Sequence, residues 1–178
     1  MDIIFILIGL YVIFWQSCLI IASIWGAPTV FANNRAILDA LDLAAPKKND
    51  LVIDLGCGDA RSLIIAAEHF GAHGIGVERS PYCWIKANIN VLLAHQSNKV
   101  KILFGDFKVA EKYLQKSDVI YLYLLNKVLE AQENWLFDHI SSKTRIVSLC
   151  FQFRIHKPQT IISTVNLGRK TNIYLYKK

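Results

Sequence analysis

The sequence predicts an α/β fold in which a mostly parallel sheet is covered by helices on both faces and closed by an antiparallel hairpin. Short apolar runs alternate with segments of helical periodicity over residues 33–151, a pattern typical of parallel strands joined by right-handed crossover helices. A glycine turn follows the first of these runs. The first part of the chain is far more apolar than the rest, so we predict one apolar helix ahead of one domain.

The N-terminal segment, residues 3–25, contains no charged side chain. A helix needs about 20 apolar residues to cross the hydrocarbon layer of a bilayer, and Trp15 and Trp25 are of the residue type that lies at membrane interfaces. A cleaved signal peptide begins with basic residues and has a shorter apolar core; a buried core helix is the other alternative. We therefore predict a retained transmembrane helix.

This interpretation divides the 178 residues into a transmembrane anchor, residues 1–27, and a domain, residues 28–178. Arg35, Lys47 and Lys48 follow the anchor, whereas no lysine or arginine precedes it. Because basic flanks stay on the cytoplasmic side of a membrane, we expect a single-pass membrane protein whose domain is cytoplasmic.

Within the domain, the first helix is predicted over residues 33–45, with Asn33 or Asn34 as its N-cap. Strands and helices then alternate at residues 51–55, 60–70, 73–77, 82–95, 100–104, 109–114, 119–124, 127–140 and 145–151. Two further β-prone runs, residues 160–165 and 172–176, flank a short turn that contains a glycine. These runs predict the closing hairpin.

Composition limits the partners of the domain. The formal net charge is +6, and a basic domain beside a bilayer is attracted to anionic headgroups. The lysines are scattered rather than clustered with aromatic residues, so no specific nucleic-acid partner is expected. The 4 cysteines form no CxxC pair and the 5 histidines no cluster at metal-ligand spacing, so neither a disulfide framework nor a metal site is predicted.

The strongest indication of a ligand site is the decapeptide VIDLGCGDAR, a strand that runs into a glycine turn and then into a helix. Gly56 and Gly58 allow the backbone to pass close to a ligand, and the free amides at the helix start can bind it. A dinucleotide site uses the same turn but prefers a third glycine, where this chain has Arg61. Asp54 and Asp59 would also repel phosphates, so the turn favours a cationic ligand.

Acidic residues also follow the next two predicted strands. Glu78 ends the second strand, where a carboxylate can accept hydrogen bonds from a ribose diol. After the third strand we expect Asp106 to accept from an adenine amino group and Phe107 to cover the base. S-adenosyl-L-methionine (SAM), a cation without phosphate, carries all these groups. Each acid alone is as readily a helix cap, and Asp59 as readily part of a salt bridge, but the ordered series predicts SAM.

The segments VIDLGCGDAR, GVE, FGDF and DVIYLYLL resemble the motif series of Rossmann-like class I SAM-dependent methyltransferases. With the apolar helix and the Gly-Ala-Pro that follows it, they resemble more narrowly the membrane-anchored protein-lysine methyltransferases. That family includes mitochondrial enzymes acting on the adenine nucleotide translocase and the ATP synthase c-subunit, and prokaryotic relatives. The resemblance implies for the glycines and acids the cofactor roles given above. One departure is Ala60, where the family usually has a glycine.

In many class I methyltransferases the end of the fourth strand faces the transferring methyl group. Tyr123 is our candidate there for shaping the acceptor pocket, with packing on the sheet as the alternative. The Asn/Asp-Pro-Pro-aromatic quartet of enzymes that modify adenines or glutamines is absent. We expect the acceptor to be a lysine of a membrane or membrane-proximal protein. A lipid, quinone or other small apolar acceptor, a non-catalytic SAM-binding protein, and more distantly a dehydrogenase are the alternatives.

Overall fold

The computed structural model describes residues 2–24 and 32–178. Its helices are α1 (Asp2–Ile24), α2 (Asn34–Ala44), α3 (Arg61–Phe70), α4 (Pro81–Leu93), α5 (Glu111–Leu114) and α6 (Asn126–His139), with a 3-10 turn at Phe107–Ala110 before α5. Its strands are β1 (Leu51–Leu55), β2 (His73–Glu78), β3 (Val100–Phe104), β4 (Val119–Leu122), β5 (Arg145–Leu149), β6 (Thr160–Asn166) and β7 (Arg169–Lys177).

The strands form one sheet in the order β3-β2-β1-β4-β5-β7-β6. All pairs from β3 to β5 are parallel, which confirms the predicted sheet. The register places Asp54 of β1 between Gly76 of β2 and Tyr121 of β4. Because paired residues of neighbouring strands point to the same face of a sheet, Asp54 and Tyr121 lie side by side on one face.

The two C-terminal strands form the predicted antiparallel hairpin. β7 is inserted between β5 and β6 and pairs antiparallel with β5, from Arg145 opposite Lys177 to Leu149 opposite Ile173. The hairpin thus joins the sheet through its second strand. Apolar periodicity, which predicts the two strands, does not specify this order.

Two apolar clusters hold the helices to the two faces of the sheet. On one face, α2 and α3 bury Leu41 and Leu63 with Val52 of β1, and α4 packs on the same side. On the other face, α6 buries Leu136 against Ile120 of β4. The helices on both faces confirm the three-layer arrangement expected for alternating strands and helices.

α2 begins at the predicted cap. The side chain of Asn33 accepts a hydrogen bond from Ala36 N at 2.7 Å. The cap is also held by the hairpin, because Asn33 N donates to Asn166 Oδ1 at 3.0 Å and Asn33 Nδ2 donates to Val165 O at 3.1 Å. The start of the domain and its C-terminal hairpin are therefore joined next to the edge of the sheet.

α1 is described over Asp2–Ile24, and its large apolar side chains from Ile3 to Trp15 are exposed. Within the described residues, no helix has the combination of length and hydropathy that a membrane span requires. The transmembrane helix predicted over residues 1–27 is therefore not confirmed. Residues 25–31, which include the expected boundary between anchor and domain, lie outside the described residues.

Candidate active site

A cavity lies at the carboxyl ends of β1 and β4, the edge at which open α/β sheets bind ligands. It is lined by Ala32, Ile37, Asp54, Gly56, Cys57, Gly58, Asp59, Arg61, Ser62, Tyr121 and Tyr123. The cavity thus unites the glycine turn, two of the predicted acids and Tyr123. Of the other predicted site residues, Glu78 and Phe107 lie next to the turn, and Asp106 follows β3.

The turn between β1 and α3 uses glycine where the backbone requires it. Gly56 has φ +88° and Gly58 has φ +56°, and a Cβ at Gly56 would lie 2.9 Å from Leu124 Cδ2. The turn is tied to β2, because Gly56 N and Cys57 N donate to Val77 O at 2.8 and 3.0 Å. A side chain at Gly56 would both strain the backbone and displace Leu124.

Ala60 also has a left-handed backbone, with φ +66°. It is the N-cap of α3, is fully buried and offers no side-chain cap. Left-handed geometry costs a non-glycine residue about 1 kcal/mol, which explains why glycine is usual at this position in the resembling family. Alanine nevertheless starts the helix here, as its short side chain fits the space.

Glu78 ends β2, and its carboxylate accepts three backbone hydrogen bonds. Gly58 N donates to Oε2 at 2.9 Å, while Arg79 N and Ser80 N donate to Oε1 at 2.9 and 2.7 Å. Burial raises the pKa of the Glu78 carboxyl, and these hydrogen bonds oppose that shift. Since each carboxylate oxygen can accept about two hydrogen bonds, Oε2 retains capacity for a ligand hydroxyl. The ribose role of Glu78 remains a prediction.

Asp54 lies in the wall of the cavity and is 3% exposed. Its Oδ2 accepts a hydrogen bond from the Ser62 hydroxyl. Burial, reinforced by the nearby Glu78 and Asp59 carboxylates and opposed by the Ser62 hydrogen bond, raises the pKa of the Asp54 carboxyl to about 7. A positive group next to Asp54 would favour its ionised form. The site is therefore suited to a cation.

Asp59 is engaged by basic side chains. Arg61 Nε lies 3.0 Å from both carboxylate oxygens of Asp59, and Lys86 Nζ lies 3.7 Å from Oδ2. The backbone carbonyl of Asp59 also accepts from Asn90 Nδ2 at 2.9 Å. Asp59 therefore takes part in salt bridges, which was the alternative expected from the sequence. Its contacts with Lys86 and Asn90 hold the start of α3 against α4. Its predicted contact with the cofactor remains untested.

Asp106 and Phe107 follow β3. Asp106 caps the 3-10 turn, with Lys108 N 3.4 Å from Oδ1, and Arg79 Nη1 lies 3.9 Å from Oδ2. The Asp106 side chain is 55% exposed, so the cap leaves it accessible to a ligand. Phe107 packs partly buried, and its Cε1 atom lies 3.9 Å from the position of a Cβ at Gly56. Its ring therefore borders the glycine turn.

Tyr123 follows β4 and lines the cavity beyond Tyr121. Its hydroxyl accepts a hydrogen bond from Asn166 Nδ2 at 3.1 Å, and its ring stacks on Phe151 with 6.4 Å between ring centroids. Burial raises the pKa of the Tyr123 phenol, against the effect of the Asn166 hydrogen bond. The phenol is thus neutral at physiological pH, and it both packs and lines the cavity.

Besides Arg61, three polar residues of the site were absent from the predicted set: Ser62, Tyr121 and Asn166. Tyr121 had a signal, because it lies two residues before Tyr123 in the predicted strand over residues 119–124, and alternate residues of a strand share a face. Ser62 lies one residue into α3 and is brought to Asp54 by the tight turn. Asn166 had no signal in the sequence, since it reaches Tyr123 only through the pairing of the hairpin.

The residues present fit SAM. The glycine turn allows close approach of a ligand. The carboxylate of Asp54 suits its positive charges and that of Glu78 its ribose hydroxyls, whereas Asp59 is already paired with Arg61 and Lys86. The same carboxylates would repel the pyrophosphate of a dinucleotide. The neutral phenols of Tyr121 and Tyr123 supply polar atoms that carry no charge of their own.

Solved structures with the same architecture include methyltransferases. An RNA methyltransferase from Salinibacter ruber in complex with S-adenosyl-L-homocysteine matches with a TM-score of 0.75 and 30% identity, over 83% of this chain and 93% of that one. The tRNA methyltransferase TrmK of B. subtilis matches with a TM-score of 0.64 and 13% identity, over 83% and 66%, which shows the fold alone. Fold and site together define a class I methyltransferase, with SAM as methyl donor.

A narrower assignment follows from the family comparison. The model of the ANTKMT methyltransferase domain matches residues 54–160, and the chain belongs to this family. A protein-lysine N-methyltransferase of Saccharolobus islandicus (strain REY15A) is 29% identical over 150 residues, which are 84% of this chain and 92% of the relative. The family predicted from the sequence motifs is thereby confirmed.

Proposed function

We propose that this enzyme transfers a methyl group from SAM to the side-chain amine of a lysine in a protein that lies at or in a membrane. The observation that carries the proposal is the cavity that joins the glycine turn and Asp54 to the phenol of Tyr123. The family match and the Saccharolobus lysine methyltransferase, whose length the chain nearly covers, support lysine as the acceptor.

The residues that would hold the cofactor are spread along three strand ends. Glu78 Oε2 would accept from the ribose, and Asp106 with Phe107 would contact the adenine. Asp54 would lie near the positively charged groups. SAM supplies a methyl group already activated by its sulfonium, so the main task of the protein is to align the acceptor amine with it.

The acceptor side of the cavity combines apolar and neutral polar groups. Ala32 and Ile37 line it together with Tyr123. An apolar environment disfavours the ammonium form of lysine and so lowers its pKa, which yields the nucleophilic amine. The neutral Tyr123 oxygen, which already accepts from Asn166, has a second lone pair for an N–H of that amine. Tyr123 would therefore orient the amine without acting as a base.

We propose that a lipid bilayer covers the apolar side chains of α1 and a stripe on α4. The exposed residues of the stripe are Ile85, Ile89, Leu92 and Leu93. They share one helix face, because Ile89 lies four residues after Ile85, and Leu92 and Leu93 lie three and four residues after Ile89. α1 contacts α4, so one bilayer would be able to cover both apolar surfaces. Contact with lipid would bring the cavity close to membrane proteins.

Membranes incubated with the enzyme and tritiated SAM test the acceptor. We expect acid-stable label in protein, recovered as methylated lysine after hydrolysis. Label in the organic extract would instead favour a lipid or quinone, and label in RNA would favour the substrate class of the Salinibacter enzyme. Binding of SAM without transfer to any fraction would favour a non-catalytic protein.

A pair of tyrosine variants makes this assay specific for the site. Tyr123→Phe should lower turnover about 3- to 10-fold, the effect of one neutral hydrogen bond, with little change in SAM affinity. The matched control is Tyr113→Phe on α5, a partly buried tyrosine outside the cavity, which should keep wild-type turnover. Equal turnover of both variants would contradict the role of Tyr123.

Flotation with vesicles of phosphatidylcholine and phosphatidylglycerol tests the lipid contact. We expect the wild-type chain to float, and the double change Ile89→Glu and Leu93→Glu to weaken flotation. The matched control replaces Ile161 and Val165 by Glu, because these residues of β6 are similarly exposed, at 53% and 55%, on the opposite edge of the sheet. A wild-type chain that remains unbound would contradict the proposal.

We also propose that the catalytic domain faces the cytoplasm, because Arg35, Lys47 and Lys48 follow α1. A cysteine introduced at the exposed Lys157 should react with a membrane-impermeant thiol reagent only after cells are lysed. Reaction in intact cells would place the domain outside.

A further inference from the structure

Tyr121, in the middle of β4, has a buried hydroxyl without a hydrogen-bond partner. The residue is 3% exposed, and among the described side chains its Oη is the one buried nitrogen or oxygen atom that no protein group contacts by a hydrogen bond. Burying an unpaired hydroxyl is unfavourable, so native proteins rarely do it without a functional reason. This hydroxyl therefore needs an explanation that packing does not supply.

The surroundings of the hydroxyl are those of the cavity. Tyr121 is paired with Asp54 in the β1–β4 register and shares its face, and both residues line the cavity with Arg61 and Tyr123. Burial and the negative charge of Asp54 raise the pKa of the Tyr121 phenol well above its usual value. The phenol therefore keeps its proton and is able both to donate and to accept a hydrogen bond.

Tyr121 differs in this respect from two other tyrosines of the domain, Tyr123 and Tyr176. The hydroxyl of Tyr123 accepts from Asn166, and that of Tyr176 accepts from Phe153 N at 3.1 Å. Both hydroxyls are thus used by the fold itself. Only the Tyr121 hydroxyl, of these three, is left for a group that enters the cavity.

The sheet topology indicates which part of the cofactor reaches Tyr121. This step rests on the proposed function. Glu78 ends β2 and Asp106 follows β3, so the nucleoside would lie over that side of the sheet. The opposite end of SAM is an α-amino acid with one ammonium and one carboxylate group. From the glycine turn, it must extend over β1 and β4, where Asp54 and Tyr121 stand side by side.

We propose that the Tyr121 hydroxyl forms a hydrogen bond with the α-amino-acid end of SAM, and that Asp54 beside it balances the ammonium charge. Tyr121 is then a cofactor-binding residue whose hydroxyl makes no hydrogen bond to the described part of the unliganded protein. Its hydroxyl contributes to ligand affinity at a cost to the stability of the unliganded fold.

The test is the binding of two ligands to the full chain and to Tyr121→Phe by titration calorimetry. S-adenosyl-L-homocysteine contains the amino-acid end, whereas 5′-methylthioadenosine has the same nucleoside and a thioether but lacks that end. We expect Tyr121→Phe to weaken binding of S-adenosyl-L-homocysteine about tenfold or more, the effect of a hydrogen bond to a charged group. Binding of 5′-methylthioadenosine should change less than about twofold.

Thermal unfolding without ligand gives an independent measurement. Because Tyr121→Phe removes an unpaired buried hydroxyl, the melting temperature should stay equal or rise by about 2 °C. The matched control is Tyr176→Phe, which removes a hydroxyl that Phe153 N uses; it should lower the melting temperature and leave both ligand affinities unchanged. A structural role for Tyr121 would make the two variants behave alike.

The outcomes separate this inference from the proposed function. Equal affinity of Tyr121→Phe and wild type for S-adenosyl-L-homocysteine, or an equal loss for both ligands, would overturn the role of Tyr121 and leave the methyltransferase intact. A wild-type chain that binds neither ligand would overturn the cofactor itself, and the inference with it.

Discussion

The two ends of the row of acids at the sheet edge differ sharply, although the sequence predicts one kind of role for both. Asp54, near the end of β1, is 3% exposed and its carboxyl has a pKa raised to about 7. Asp106, after β3, has a side chain that is 55% exposed and is held by a long cap contact and a distant arginine. Glu78 lies between them in both position and burial.

This difference shows that position at a strand end does not set the strength of a charge interaction. Burial removes water, so the field of a charge acts more strongly on a neighbouring ligand. Solvent around an exposed carboxylate screens the same interaction. We therefore expect the contribution to ligand binding to decrease from Asp54 through Glu78 to Asp106, and substitutions along the row test this order.

The largest loss is expected for Asp54→Asn. It leaves the ammonium group of the ligand without its buried counter-charge, a change of about 3 kcal/mol, or more than a hundredfold in the dissociation constant of S-adenosyl-L-homocysteine at pH 8. At pH 6, where the wild-type carboxyl is mostly protonated, the gap between variant and wild type should narrow. If Asp54→Asn lost the same affinity at pH 6 and at pH 8, the ionised Asp54 carboxylate would not be what binds the ligand.

A smaller loss, about 2 kcal/mol, is expected for Glu78→Gln, since a charged acceptor of ribose hydroxyls becomes neutral. Glu78→Ala is a less specific change, because it also leaves Gly58 N, Arg79 N and Ser80 N without their acceptor. Glutamine has one acceptor oxygen and one NH2 group, so it cannot accept both from Gly58 N and from the Arg79 and Ser80 amides. We therefore expect both variants to melt lower than wild type, the alanine variant by more. Calorimetry with S-adenosyl-L-homocysteine and thermal unfolding of both variants measure the two effects.

The pKa of Asp54 predicts a pH dependence of binding. Affinity for S-adenosyl-L-homocysteine should rise about tenfold between pH 6 and pH 8, as the carboxyl ionises around its pKa of about 7. Ser62→Ala removes a hydrogen bond that lowers this pKa, so the midpoint should move to higher pH. A flat profile in the wild type would mean that Asp54 does not face the cationic end of the ligand.

The raised pKa of Asp54 also makes the stability of the fold depend on pH. This dependence is opposite in sign to that of a carboxylate whose pKa is lowered by folding. The pKa of Asp54 is higher in the folded protein than its ordinary value of 3.8, so the folded state binds the proton more tightly. The contribution of Asp54 to stability is therefore greatest at low pH and is lost as pH rises toward about 7. In unliganded protein at pH 8, Asp54→Asn should raise the melting temperature.

The smallest effect is expected for Asp106→Asn. Its carboxylate is exposed, and asparagine caps helices about as well as aspartate, so the affinity for S-adenosyl-L-homocysteine should fall by less than about 0.5 kcal/mol. The salt dependence of this small loss should exceed that of Asp54→Asn, because exposed charges are screened. A loss as large as that of Asp54→Asn would reverse the proposed order.

Most of the fold was predictable because local patterns specify it. The apolar runs gave all the strands, and the alternation with helices gave the parallel sheet. The VIDLGCGDAR turn identified the ligand site, since its glycines have the positive φ values that such a turn demands. Asn33 acts as the predicted cap of α2.

The remaining features depend on contacts between distant parts of the chain. The insertion of β7 beside β5 and the reach of Asn166 to Tyr123 follow from hairpin pairing, which periodicity does not encode. The engagement of Asp59 by Arg61 and Lys86 and the unpaired hydroxyl of Tyr121 depend on side-chain placement. Sequence motifs therefore locate this site, while tertiary packing decides how each residue in it is used.

The close contact between Cys57 and Gly76 has a consequence for sequence variation. A Cβ at Gly76 would lie 2.6 Å from Cys57 Sγ and 2.9 Å from Leu63 Cδ1, so β2 passes directly under the thiol of the turn. We expect homologues with alanine at position 76 to carry a smaller residue at position 57, the two positions covarying. A change of residue in the glycine turn therefore requires a matching change in β2.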